Sequence, residues 1–143
     1  VCFGHQFLAQ HLGGEVQRNK AGWIIGTHPL RIEQSAPWMS PQQPDTQLYY
    51  FNQDHITRLP ALATHLGSAP NCPYAAWSLE DRIFCLQAHP EQPLRSMQNF
   101  IAASRGEIED MALDQALATM QDQEPDANLW ANWMKNFFVD SDH

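Results

Sequence analysis

The sequence predicts an α/β domain, and three observations carry the prediction. Residues 1–14 read as a strand end, a sharp turn at Cys2-Phe3-Gly4 and a helix closed by Gly13-Gly14. The middle of the chain is a series of short strand-like runs punctuated by Pro and Gly. From Gln92 onward the apolar residues recur at helical spacing. A chain of 143 residues with 43% hydrophobic content suffices for one compact domain, or part of one, but hardly for two.

Taken in order, the first helix carries Phe7, Leu8, His11 and Leu12 on its apolar side. Strands are predicted at residues 15–17, 23–28 and 30–33, followed by a Pro- and Gln-rich loop over 35–47 that is too polar to be core. Another strand follows at 48–51, then a loop at Asn52-Gln53-Asp54-His55, a break at Leu59-Pro60 and a short apolar segment at 63–66. Residues 74–79 and 82–87 flank the acidic pair Glu80-Asp81 and read as a hairpin whose second strand ends at His89-Pro90-Glu91. Pro90 has no N–H to give a ladder and stops the strand. Three helices then follow. Leu94, Met97, Phe100 and Ile101 mark the first, and Ile108, Met111, Ala112, Ala116, Leu117 and Met120 the second. Leu129, Trp130, Trp133, Met134, Phe137 and Phe138 mark the third, with Asp126 as its expected cap. Core packing is the first reading of that last stripe; a partner-binding face is the other.

Sixteen acidic residues against eight basic give a formal charge of −8, with no Lys/Arg run able to track a phosphate backbone, so nucleic acid is not an expected partner. No apolar stretch approaches the roughly 20 residues of a membrane helix, and no membrane association is expected. Cys2, Cys72 and Cys85 form no C-x-x-C pair, and their odd number points to the cytoplasm rather than to a disulfide framework. Seven histidines show no H-x-x-x-H spacing, so neither a metal nor a cofactor is expected, and His28, His55 and His65 read as surface or strand histidines. Because Cys2 already falls in the turn, the chain is expected to begin inside a larger fold.

Cys2 is the foremost candidate for chemistry. On a tight strand-to-helix turn its side chain projects out of the sheet toward the start of the helix, where dipole charge and free N–H groups stabilise a thiolate. The N–H of Phe3 points where an oxyanion would form, and Gly4 leaves the turn unobstructed. On this pattern alone, a small buried cysteine is an equal alternative. His89 and Glu91 supply what a thiol nucleophile needs: an imidazole to take and return its proton, and an acceptor to orient that imidazole. Two residues apart at a strand end, they point to the same side. Taken alone, His-Pro-Glu is also consistent with a solvated carboxylate beside an unremarkable histidine.

Jointly, Val1-Cys2-Phe3-Gly4-His5-Gln6 resembles the nucleophile turn of the class I (triad-type) glutamine amidotransferases, and Gln87-Ala88-His89-Pro90-Glu91 resembles their His-Glu motif. The order and separation of the two motifs also fit, and the resemblance runs from Val1 to about Arg105. Standalone proteins similar to the amidotransferase part of GMP synthase are the nearest likeness. The resemblance implies a doubly wound, flavodoxin-like α/β sheet. It also implies a glutaminase that releases ammonia through a γ-glutamyl thioester on Cys2, with His89 and Glu91 completing the catalytic triad. Gln6 matches the position that helps hold the substrate, and Phe3 the oxyanion donor. Gly13-Gly14 also matches, as does Asp54 with Leu59-Pro60. Two departures stand out: Phe51-Asn52-Gln53 replaces a usual Ser-His segment, and Ala88 stands where an aromatic commonly precedes the histidine. Ala88 either opens space near the thiol or is covered by a neighbouring ring.

On this reading residues 1–106 are the C-terminal part of the amidotransferase domain, without its first strands and Gly-rich oxyanion loop, and 107–143 are a helical extension. The chain by itself is then expected to be inactive. Its expected partners are glutamine or a γ-glutamyl substrate, and a synthetase domain or subunit that takes the ammonia. Two other readings keep the fold: a γ-glutamyl peptidase on the same triad, and a non-catalytic binding module.

Overall fold

The computed structural model describes residues 1–140. Helix α1 (Phe3–His11) leads into β1 (Glu15–Arg18), β2 (Ile24–Ile32), β3 (Asp45–Asn52), β4 (Asp54–Arg58), β5 (Thr64–Ala69), β6 (Cys72–Leu79) and β7 (Ile83–Leu86). Helices α2 (Leu94–Ala103), α3 (Asp110–Asp122) and α4 (Ala127–Asp140) complete the chain. Five strands form a sheet in the order β3-β2-β5-β6-β7, and β1 and β4 form a separate ribbon. Every strand pair among the described residues is antiparallel. This is a mixed α/β fold with a curled antiparallel sheet and C-terminal helices.

Strand alternation sends successive residues of β2 and β3 to opposite faces, and each face has its own helices. Ile24, Leu48 and Tyr50 join Trp130, Trp133 and Phe137 of α4 in one core cluster. Ile25 and Tyr49 join Met97 and Ile101 of α2, and Leu113, Ala116 and Met120 of α3, in the other. The stripe on α4 is therefore core, although Phe138 lies outside it at 71% exposure. A third cluster seats α1 through Ala9 against Ile56, Trp77 and Cys85.

Two glycines make these contacts possible. A Cβ on Gly14 would lie 2.6 Å from the Arg58 carbonyl oxygen, where the end of α1 rests on β4. Gly26, at φ 96°, lies under α3, where a Cβ would meet the Ala116 carbonyl oxygen at 2.8 Å.

Four expectations are corrected. The strands predicted at 23–28 and 30–33 are one, β2, which runs through Pro29. Pro29 stands opposite Gln47. Gln47 turns its own N–H and C=O away from β2, to the Asp126 carboxylate and backbone N–H, each at 2.7 Å. The pair is thus a non-hydrogen-bonded one, and the missing proline N–H costs the β2–β3 ladder nothing. The same contact explains Asp126: it stands just before α4, but its carboxylate braces β3 rather than serving the helix alone.

The polar loop after β2 is not wholly outside the core. Trp38 and Met39 are buried, Trp38 edge-on to Phe84 and Phe137, while Asn136 donates to the Trp38 carbonyl at 3.1 Å and Trp133 Nε1 to that of Pro41 at 3.0 Å. The segment from Asp54 to Arg58, expected to begin as loop, is strand β4, paired with β1.

Candidate active site

Cys2 stands at the start of α1 with φ 49° and ψ −108°, a left-handed backbone that a non-glycine residue adopts only where its surroundings impose it. Its N–H is tied to the Leu86 carbonyl at 2.9 Å, and its own carbonyl accepts the Gln6 N–H at 3.1 Å. The thiol is thus held at the end of β7 and the beginning of a helix together. As the first helical residue, Phe3 has an N–H with no partner inside the helix, while its ring is 74% exposed.

The turn after β7 is pinned from two sides. Gln87 N–H donates to Ala75 of β6, and His89 N–H to Tyr49 of β3, both at 2.8 Å. His89 Nδ1 and Glu91 Oε1 are 2.6 Å apart, with the imidazole largely buried and the carboxylate half-exposed. Burial pulls the His89 pKa down, but interaction with the Cys2 thiol and the Glu91 carboxylate outweighs it and holds the group above its usual value. The two remaining cysteines contrast with this. Burial pushes Cys72 up to about 12, helped by the charge of Cys2, and Cys85 up to about 11, so both are held as inert thiols.

Gln6 does not project freely. Its Nε2 donates to the Asp54 carbonyl at 2.8 Å and to Gln87 Oε1 at 3.0 Å. Gln87 is fully buried, and its Nε2 lies 3.6 Å from Cys2 Sγ. In the sequence Gln87 is only a letter of the His-Glu motif, because nothing local marks which amide will face the sulfur. Phe51, from the departed segment, brings its carbonyl to within 4.0 Å of Sγ and its ring edge-on to Phe100. Ala88 is fully buried within the cluster that contains Trp130, so it opens no space at the thiol.

Beside His89 lies a cleft of about 380 Å³, lined by Phe51, Met97, Phe100, Ala103, Ser104 and Glu107. Among the described residues no group of three or more His, Cys, Asp or Glu side chains is placed to hold a metal ion. None of the described helices is long and apolar enough to cross a membrane. A thiol on a strained turn, an imidazole facing it and a carboxylate behind the imidazole form a set able to carry out acyl transfer.

The fold and this set define a class. The profile of the family described as Glutamine amidotransferase class-I matches residues 1–105, and the chain belongs to that family. Over 96% of its length it is 28% identical to γ-glutamyl peptidase 3 of Arabidopsis thaliana, of which it spans 58%. Over 64% of its length it is 31% identical to the glutamine-hydrolysing GMP synthase of Neisseria meningitidis, of which it spans 18%. The crystal structure of a glutamine amidotransferase from Thermotoga maritima superposes on 98% of the chain with a TM-score of 0.77 at 21% identity, the chain covering 60% of that structure.

Proposed function

We infer that the protein hydrolyses the γ-amide of glutamine, with Cys2 as nucleophile, His89 as proton carrier and Glu91 as its orienting partner. The observation that carries this reading is the 2.6 Å His89–Glu91 contact beside a thiol held on a positive-φ turn at a helix start. The Cys2 thiolate attacks the amide carbon, and the oxygen takes up charge near the unpartnered Phe3 N–H. His89 gives its proton to the departing ammonia, leaving a γ-glutamyl thioester on Cys2. A water molecule then gives a proton to His89, attacks the thioester carbonyl and releases glutamate and the Cys2 thiolate, which restores the starting pair. Gln6 borders the substrate on this reading. The likeness to GMP synthase supports a synthetase domain or subunit as the destination of the ammonia. The reading includes a helical extension from residue 107 and a cytoplasmic location, which the three free cysteines favour.

The cleft at His89 supports a second reading, a γ-glutamyl peptidase. The leaving amine takes its proton from the imidazole and so departs on that side. A volume of about 380 Å³ there admits a leaving group larger than ammonia. The alignment with γ-glutamyl peptidase 3 runs through this region.

The experiment is to offer the full-length protein glutamine and γ-glutamyl dipeptides and to measure ammonia and free amino acid. Ammonia from glutamine that disappears in Cys2→Ala supports the first reading, and dipeptides cleaved much faster than glutamine support the second. Turnover of neither, with the thiol inert to a glutamine-like electrophile, sinks both and leaves a binding module.

A further inference from the structure

We propose that Gln87 is a positioning residue that presents a hydrogen-bond donor to the Cys2 sulfur, its polarity fixed by a backbone carbonyl two amides away. The proposal rests on Cys2 being the reactive thiol of the preceding section.

An amide side chain can face a neighbour with either end, so the direction of Gln87 has to be decided by something that cannot turn over. That group is the Asp54 carbonyl, which can only accept. Gln6 Nε2 donates to it at 2.8 Å, and Asn52 Nδ2 donates to it as well, at 3.0 Å. The Gln6 amide is therefore fixed with its nitrogen toward Asp54. The same nitrogen has a second hydrogen, which goes to Gln87 at 3.0 Å, so Gln87 must meet it with its oxygen. Its nitrogen is then left facing Sγ at 3.6 Å. Reversing Gln87 would set two NH₂ groups against each other in a fully buried place, where an unsatisfied donor is costly.

The consequence is chemical. A neutral thiol gains little from an amide donor, whereas a thiolate accepts a charge-assisted hydrogen bond. The donor therefore favours the form that attacks, and the rigid chain from Asp54 to Gln87 keeps it aimed through the reaction. Gln87 ties the turn after β7 to α1 through Gln6 and to β6 through Ala75, and Gln6 carries the tie on to β4, so the thiol, its donor and His89 share one frame.

The test is the rate at which iodoacetamide alkylates Cys2 at neutral pH in the full-length protein, with the modified residue located by mass spectrometry. The thiolate displaces iodide in that reaction, so the rate reads the attacking form without any substrate. Gln87→Met keeps the bulk and removes the donor; alkylation of Cys2 should fall about five-fold, the effect of losing a hydrogen bond of ordinary strength to a charged sulfur. Gln87→Glu keeps the acceptor for Gln6 but sets a carboxylate against the sulfur, and should be slower still. A purely space-filling role predicts the wild-type rate in Gln87→Met, and that result with an unchanged melting temperature overturns the proposal. If Gln87→Met does not fold, Gln87→Glu decides: a rate equal to or above wild type overturns it equally. A protein that shows the alkylation difference but turns over neither glutamine nor γ-glutamyl peptides supports the Gln87 contact and overturns only the catalytic reading.

Discussion

His5, fully buried, and His89, largely but not wholly buried, both lie close to the start of α1, and they have opposite fates. His89 lies between the Cys2 thiol and the Glu91 carboxylate, which together hold its pKa above the usual value in spite of burial. His5 lies on the underside of α1 with no exposure, tilted against Trp77, and neither ring nitrogen has a hydrogen-bond partner of normal geometry. Burial drives it down to about 3, the nearby backbone of Tyr74 and Cys85 offsetting only part of the fall. Burial without a partner therefore silences an imidazole, and at His89 the Cys2 thiol together with the Glu91 carboxylate outweighs it. His89 keeps two interacting partners and a partly open position where His5 has neither, and on the proposed roles that is what separates a proton carrier from a packing residue.

The strongest way to break this comparison is to remove the residues to which the proposed function gives the chemistry. His89→Ala should lower turnover by about 10³-fold, since a positioned general base contributes of that order, and Cys2→Ala should abolish it. Both should melt within a few degrees of wild type, and a His89 variant with near-normal kcat would end the assignment of roles. Next in size is Trp77→Ala. It empties the wall against which His5 rests and should cost about 3–5 kcal/mol in denaturant unfolding, the usual range for a buried aromatic. It should also bring the His5 pKa back toward its ordinary 6.5, because water replaces the ring. Glu91→Gln sharpens the other side of the comparison. Without the carboxylate the imidazole loses its orienting charge, so kcat should fall about 100-fold with the fold intact. The His89 resonance in an NMR titration should then move to lower pH, and an unmoved resonance would show that Glu91 does not set it.

The catalytic candidates were legible because they are a pattern in the chain itself. The His-x-Glu spacing marks His89 and Glu91 as a pair, although β7 stops at Leu86 and the two meet in the turn after it rather than on a strand end, and a Cys-Phe-Gly turn before an apolar-periodic segment marks Cys2 at a helix start. The helical end was legible by the same logic, since Met97 and Ile101 or Trp130, Trp133 and Phe137 recur at the period of a helix. What stayed hidden depends on residues far away in sequence. Pro29 reads as a strand break, and only the position of Asp126, seventy-nine residues beyond Gln47, shows that its missing N–H faces away from the β2–β3 ladder. Trp38 lies in a run of Pro, Ser and Gln that looks solvated, yet α4 closes over it. Gln87 and Gln6 read as polar neighbours of a motif, and their pairing across eighty-one residues has no local signal. His5 reads only as a letter of the nucleophile turn, although it is among the most deeply buried polar groups of the described residues.

The smallest effect belongs to His5 and concerns stability rather than turnover. In the unfolded chain His5 takes up a proton near 6.5, whereas in the folded chain it resists protonation down to about 3. Between these values the unfolded state binds more protons, so folding stability from this group is complete above 6.5 and is lost as pH falls through that range. The slope approaches about 1.4 kcal/mol per pH unit once the unfolded chain is protonated. His55, lowered mainly by burial, adds to the same trend. His89 works in the opposite sense: its pKa is raised, so its contribution is present below 6.5 and is lost as pH rises through the folded value. Denaturant unfolding of wild type and His5→Leu at pH 7, 6 and 5 separates them, because leucine fills the site and does not titrate. The difference between the two proteins should shift in favour of the leucine variant as the pH drops. Parallel curves would mean that His5 finds a proton acceptor in the folded chain, and the contrast with His89 would then be one of degree.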